Sequence, residues 1–107
     1  MQSLFLSPPD IQSPRWLQAF PSAQLVSDED ELPANLRDFL MWVYLSDSSL
    51  IASISAWVAS GAKVIVLTHA ENPVHAKEIL EAGASGYLHY LAAVPVLNQV
   101  SQVVTLG

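Results

Sequence analysis

Residues 63–88 read Lys-Val-Ile-Val-Leu-Thr-His-Ala-Glu-Asn-Pro-Val-His-Ala-Lys-Glu-Ile-Leu-Glu-Ala-Gly-Ala-Ser-Gly-Tyr-Leu, and this stretch decides the fold. Lys63 to Leu67 is an apolar, β-branched run of strand length. Asn72-Pro73 then supplies an N-cap residue and a proline at the first helical position. In the helix that follows, Ala76, Ile79, Leu80 and Gly83 fall at i, i+3, i+4 and i+7. This stripe should face a sheet while Lys77, Glu78 and Glu81 face water. Gly83 ends the helix, and the chain re-enters a strand at Gly86.

The same alternation extends outward. Gln2 to Leu6 is a short strand stopped by Ser7-Pro8-Pro9, because two prolines can neither donate ladder bonds nor continue the centre of a sheet. Ser13-Pro14 has N-cap and N1 chemistry, and Trp16, Leu17 and Phe20 form a short apolar stripe before Pro21. Ala23 to Val26 is a brief strand. Ser27-Asp28-Glu29-Asp30-Glu31 resembles an acidic helix start, but Pro33 interrupts it, so the second helix should be stunted. Phe39 to Leu45 is apolar without alternation, as expected of a central parallel strand buried on both faces. Ser46-Asp47-Ser48-Ser49 should cap a third helix carrying Leu50, Ile51, Ile54, Trp57 and Val58 at helical spacing, ended by Gly61. The last helix should start at Pro95, with Val96, Leu97, Val100, Val103 and Val104 opposite Asn98, Gln99, Ser101, Gln102 and Thr105. Five strand–helix alternations argue for a single α/β domain over residues 1–107, an open five-stranded parallel sheet with right-handed crossovers.

Composition narrows the function. A chain of 107 residues with 51% hydrophobic content can bury one core and is too short for two. Net charge is −6 with four basic residues, Arg15, Arg37, Lys63 and Lys77, which leaves no cationic surface for direct binding of nucleic acid. There is no cysteine, so disulfides, thiolate metal sites and a Cys nucleophile are excluded. No run approaches ~18 uncharged apolar residues and the N-terminus lacks a basic start, so neither a membrane association nor a signal peptide is expected, and a cytoplasmic location is.

Val-Leu-Thr at 66–68, followed by Glu-Ala-Gly-Ala-Ser-Gly-Tyr-Leu at 81–88, resembles the last third of a bacterial response-regulator receiver domain. The resemblance implies the flavodoxin-like (βα)5 architecture with strand order 2-1-3-4-5. It also implies a phosphoryl-transfer site: acids after the first strand that hold Mg²⁺, an aspartate at the end of the third strand, and a lysine after the fifth. Here the acid positions are Ser7 and Pro8. The run Asp38-Phe39-Leu40-Met41-Trp42-Val43 puts Val43 at the phosphoacceptor position, and Tyr90 stands in place of the lysine. The conformational marks do match, since Thr68 corresponds to the switch hydroxyl and Tyr87 to the fifth-strand aromatic. The resemblance therefore implies a degenerate receiver without phosphorylation chemistry, closest in wording to those fused to a LuxR/NarL-type helix-turn-helix output domain.

Other candidate chemistry is thin. Ligands in this fold lie outside the carboxyl ends of the strands, where Ser7, Val43, Tyr44, Thr68, His69, His89 and Tyr90 should rim any pocket. His69 and His89 suggest a metal pair, but a site needs three or four protein ligands and no Cys or third carboxylate completes one. His75 reads as a solvated residue. Asp47, four residues past Val43, is the one aspartate that could rescue phosphorylation, but its setting is that of a helix cap. Trp16, Trp42 and Trp57 lack cationic partners and read as core. No cofactor is expected, and no nucleophile–base pair, glycine-rich phosphate loop or carboxylate pair supports an enzyme.

Two functions remain. One is a phosphorylation-independent regulatory and dimerisation module joined to a DNA-binding output domain. The alternative is a small-molecule binder or minor enzyme using the same sheet edge. For the first, the resemblance implies a homodimer through the fourth helix, fifth strand and fifth helix. Tyr90 and Leu91-Ala92-Ala93-Val94 would add apolar surface to that face, unless Tyr90 and Leu91 fold inward to fill the vacated pocket.

Overall fold

A computed structural model of the chain describes residues 2–46, 49–70 and 73–106. In order, the elements are β1 (Gln2–Leu6), α1 (Pro14–Ala19), β2 (Gln24–Val26), a 3-10 turn (Glu29–Glu31), β3 (Phe39–Tyr44), α2 (Leu50–Ala59), β4 (Lys63–Thr68), α3 (Pro73–Glu81), β5 (Gly86–His89) and α4 (Val94–Leu106). The strands form one parallel sheet in the order β2-β1-β3-β4-β5. The register pairs Leu6 with both Val26 and Val43, Val43 with Val66, and Thr68 with His89, so the carboxyl ends of all five strands meet at one edge.

Local chemistry accounts for the element ends. The Ser13 side chain accepts from the Arg15 amide at 3.2 Å and Pro14 begins α1, while the Phe20 N–H closes the last turn on the Trp16 carbonyl. Asp28 caps the acidic segment in the same way, its Oδ1 accepting from the Asp30 amide at 3.0 Å, but the helix lasts only one 3-10 turn before Pro33. After α3 the chain turns at Gly83, whose φ of +109° is a backbone conformation that glycine adopts without strain. A Cβ there would also stand 3.2 Å from the Val58 side chain.

The sheet is buried on both faces. Leu4, Leu6, Met41, Val43, Val64 and Val66 pack with Ile54, Trp57 and Ile79 from α2 and α3. Phe5, Leu40, Trp42, Tyr44, Ile65 and Leu67 pack with Trp16 of α1 and Leu97 and Val104 of α4. Phe5 stacks on both Trp16 (centroids 4.8 Å apart) and Trp42 (5.4 Å), so these indoles serve the core, as does Trp57.

Several expected details differ. Leu80 is 53% exposed and Val103 65%, and Val96 is also exposed, because α3 and α4 flank the edge strand β5, and the sheet covers only one line of each helix. His75 is half-buried rather than solvated. α4 begins at Val94, one residue before Pro95. Ser49 precedes α2 in a helical conformation and its side chain makes no capping bond to the helix. Asp47, Ser48, Asn72 and Gly107 lie outside the described residues.

Candidate functional site at the carboxyl edge of the sheet

The carboxyl edge divides into a cleft and an aromatic cluster. The cleft, of about 210 Å³, lies at the ends of β1, β2 and β3, and its lining includes Ser7, Pro8, Asp28, Glu29, Tyr44 and Leu50. This is the crevice where strand order reverses, the position at which open α/β sheets hold ligands. Ser7 is buried and its amide bonds the Val26 carbonyl at 3.1 Å, which keeps its side chain at the mouth of β1. Asp28 and Glu29 come from the acidic turn after β2. The sequence reading assigned that turn to helix initiation and did not place it at the rim. The available signal was a three-residue strand followed, after Ser27, by a run of acids. Among the described residues the lining includes no Lys, Arg or His, so the cleft offers hydroxyls and carboxylates over an apolar floor and no cation to neutralise a phosphoryl group.

Val43 does not rim the cleft. It is fully buried on the α2/α3 face of the sheet, paired with Val66 and packed among apolar side chains, because alternation along β3 sends it inward and its successor toward the other face. The third-strand residue at the rim is Tyr44. Burial pushes the Tyr44 phenol up from its ordinary value, with further contributions from Tyr90 and Asp10, so it stays protonated and neutral at physiological pH.

The aromatic cluster covers the ends of β4 and β5. Tyr90 meets Tyr44 edge-on, with centroids 5.5 Å apart at 84°, and stacks on His69 at 5.9 Å. Its backbone is held on both sides, the amide donating to the Thr68 carbonyl at 2.9 Å and the carbonyl accepting from Trp16 Nε1 at 3.0 Å. The Tyr90 ring is therefore half-buried and turned inward, while Leu91 beside it is 41% exposed. His89 lies 5.1 Å from Tyr90 and 6.4 Å from His69, centroid to centroid. Its Nε2 bonds the His69 carbonyl at 2.9 Å, and the Leu91 amide donates to its Nδ1 at 3.1 Å. Among the described residues no group of three or more His, Cys, Asp or Glu side chains converges as metal ligands would.

Thr68 and Tyr87 lie on the neighbouring strands β4 and β5. Thr68 is buried, and its hydroxyl donates to the Ala70 carbonyl at 2.7 Å and accepts from the Ala70 amide at 3.2 Å, closing a local turn at the end of β4. Tyr87 packs half-buried against the α2/α3 core. Among the described residues no helix is long and apolar enough to cross a membrane.

No protein-family model matches the sequence, and no curated protein matches it. Solved structures do. A response regulator from Thermotoga maritima superposes with a TM-score of 0.72 at 13% identity, over 100% of this chain and 99% of that one. A response regulator from Burkholderia pseudomallei, solved with a phosphorylated aspartic acid, a calcium ion and citrate, gives 0.69 at 16% identity over 98% of this chain and 71% of that one. A CpaE2 pilus assembly protein from Sinorhizobium meliloti 1021 gives 0.61 at 18% identity, over 97% and 99%. At these identities the likeness establishes architecture, and the architecture of this chain is the flavodoxin-like receiver fold of response regulators.

Proposed function

We propose that this chain is a non-enzymatic, phosphorylation-independent receiver module of a cytoplasmic bacterial signalling and transcription regulator. In this reading it works by pairing with a second copy, and a helix-turn-helix domain of the parent protein contacts DNA. The observation that carries the reading is the chemistry of the carboxyl edge. In this reading Ser7 and Pro8 stand for the acids, Val43 for the phosphoacceptor, buried in the core with Tyr44 beside it at the rim, and Tyr90 for the lysine, and the Tyr90 ring closes on Tyr44. Phosphoryl transfer needs positioning and concentrated positive charge, and the described lining of the cleft carries no Lys, Arg or His to supply it. The Thr68 hydroxyl, tied to Ala70, further supports a receiver held in one state.

Incubation with acetyl phosphate and Mg²⁺ followed by intact-mass measurement tests this directly. The expected result is an unchanged mass. A gain of one phosphate that disappears in Asp47→Asn would overturn the proposal.

The pairing face rests on a separate pattern. Residues 82–107 contain no Asp, Glu, Lys or Arg, although the chain carries a net charge of −6. Of the eight large apolar side chains exposed among the described residues, six (Val74, Leu80, Leu91, Val96, Val103 and Leu106) lie on α3, α4 or the loop before α4. Two copies of an acidic molecule approach with least repulsion where the surface is uncharged, and exposed apolar area there favours association. With the second helix reduced to a 3-10 turn, the face expected from the fourth helix, fifth strand and fifth helix is α3, β5 and α4.

A further inference from the structure

His89 holds the β5–α4 junction through both of its ring nitrogens. The Leu91 amide can only donate, so Nδ1 must present a lone pair to receive it at 3.1 Å. The proton of the neutral ring then sits on Nε2, where it donates to the His69 carbonyl at 2.9 Å. One tautomer satisfies both partners, and the protonated ring satisfies only one, because a proton on Nδ1 would face the Leu91 N–H. The ring thus ties the start of the loop to the end of β4 and folds the next two residues back on themselves. The rest of the junction is anchored around it: Ala92 N–H bonds the His89 carbonyl, Trp16 Nε1 bonds the Tyr90 carbonyl, and Arg15 donates to the Leu91 carbonyl.

We propose that His89 is a protonation-sensitive latch that holds the β5–α4 loop closed only in its neutral Nε2–H form. Protonation removes the acceptor of the Leu91 amide, so the ring must turn away or the loop must open. Either movement shifts Tyr90 relative to Tyr44 and reaches the start of α4, whose outer side belongs to the uncharged face. Among the described residues the surrounding titratable and charged groups are few. His69 stands at the end of β4, Tyr90 follows in the loop, with Tyr44 of β3 behind it, and Arg15 of α1 reaches Leu91. α3 carries His75, Lys77, Glu78 and Glu81, none of which hydrogen-bonds to His89, and α4 carries no charged residue. The latch does not depend on the pairing proposal, since its bonds lie within one chain.

NMR of the 15N-labelled protein tests it between about pH 5 and 8, where imidazoles titrate. At the upper end the His89 ring is expected to carry its proton on Nε2, with Nδ1 unprotonated. On acidification the Leu91 amide resonance should move with the same midpoint as the His89 ring nitrogens, and its protection factor, measured against the intrinsic exchange rate at each pH, should fall several-fold. In His89→Asn, Oδ1 takes the place of Nδ1 as acceptor without titrating, so the Leu91 amide should stay protected and cease to follow pH. In His69→Ala the titration of Leu91 should persist, because His89 bonds the backbone at 69 and not that ring. A proton on Nδ1 in the neutral ring, a Leu91 resonance flat across the range, or a midpoint that follows His69 would overturn the latch.

Discussion

Placing a carboxylate at Val43 separates a vacated phosphorylation site from a packed core position. Val43 is fully buried between Met41, Ile54 and Val66 in one apolar cluster. In Val43→Asp the lost apolar burial is about 2 kcal/mol. A protonated carboxyl without a hydrogen-bond partner adds ~1–2 kcal/mol. Above its ordinary value of about 3.9 the group must either ionise in an apolar site or hold its proton. Holding it to pH 7 costs up to ~4 kcal/mol at 1.36 kcal/mol per pH unit. A domain of this size has about 5–15 kcal/mol of stability in total, so the variant should be close to unfolding at neutral pH. The direction with pH follows from linkage. The buried carboxyl keeps its proton to higher pH than the unfolded chain does, so the folded state binds more protons and stability falls as pH rises from about 4.

Val43→Asn has nearly the same shape and no charge, which isolates the ionisation. Urea unfolding of both variants at pH 4 and pH 7.5 should give similar stabilities in acid and a gap of about 2–4 kcal/mol at the higher pH, with Val43→Asp the weaker. Equal stability of the two variants at pH 7.5, or recovery of Val43→Asp on adding Mg²⁺, would refute both the burial argument and the absence of supporting metal chemistry around it.

Tyr44 supplies an alkaline counterpart: burial, then Tyr90 and Asp10, raise its phenol above the ordinary 10.0, so its contribution is complete below pH 10 and is lost as pH rises through the folded value. Tyr44→Phe should keep the edge-on contact with Tyr90 and remove this component, so that denaturant unfolding above pH 10 shows a shallower decline than wild type. The pairing face predicts a dimer in sedimentation velocity at micromolar concentration, converted to monomer by Val103→Glu and left intact by Leu17→Glu on α1, whose side chain is also exposed but lies on another helix. A monomeric wild type, or a dimer indifferent to Val103→Glu, would remove that face from consideration.

Much of the architecture was legible because its signals are local. The apolar runs of β3 and β4, the proline at 33 that reduces a helix to one turn, and Gly83 after α3 each act within a few residues. Facing was less legible where neighbours decide it. The apolar periodicity of α3 marks Ile79 and Leu80 alike, but only the width of the sheet beneath determines how many lines of a helix it covers. Beside an edge strand, Ile79 is buried and Leu80 is not. β3 presents the complementary difficulty. A strand that is apolar throughout has no alternation to read, so its phase, and with it the choice between Val43 and Tyr44 at the rim, follows only from register with β1 and β4. The His89 contacts join a side chain to backbone two and twenty residues away, and no side-chain pattern encodes them.

Tyr90 shows how such phase decisions shape the functional reading. An aromatic ring at the position that the proposed reading gives to a lysine admits two outcomes from sequence, an apolar projection that recruits a partner or a plug for an empty site. The backbone decides between them. With its amide on Thr68 and its carbonyl on Trp16, residue 90 is oriented before its side chain is considered, and the ring falls on Tyr44 and His69. Leu91, whose amide turns back to His89, is directed outward. The two neighbours therefore serve different ends. Tyr90 fills volume at the carboxyl edge, and Leu91 joins Val96 and Val103 on the uncharged side. Any association through that side must accordingly draw on Leu91 and α4 rather than on Tyr90. A charge introduced at Tyr90 would act first on the fold of this edge, so it cannot serve as a probe of pairing.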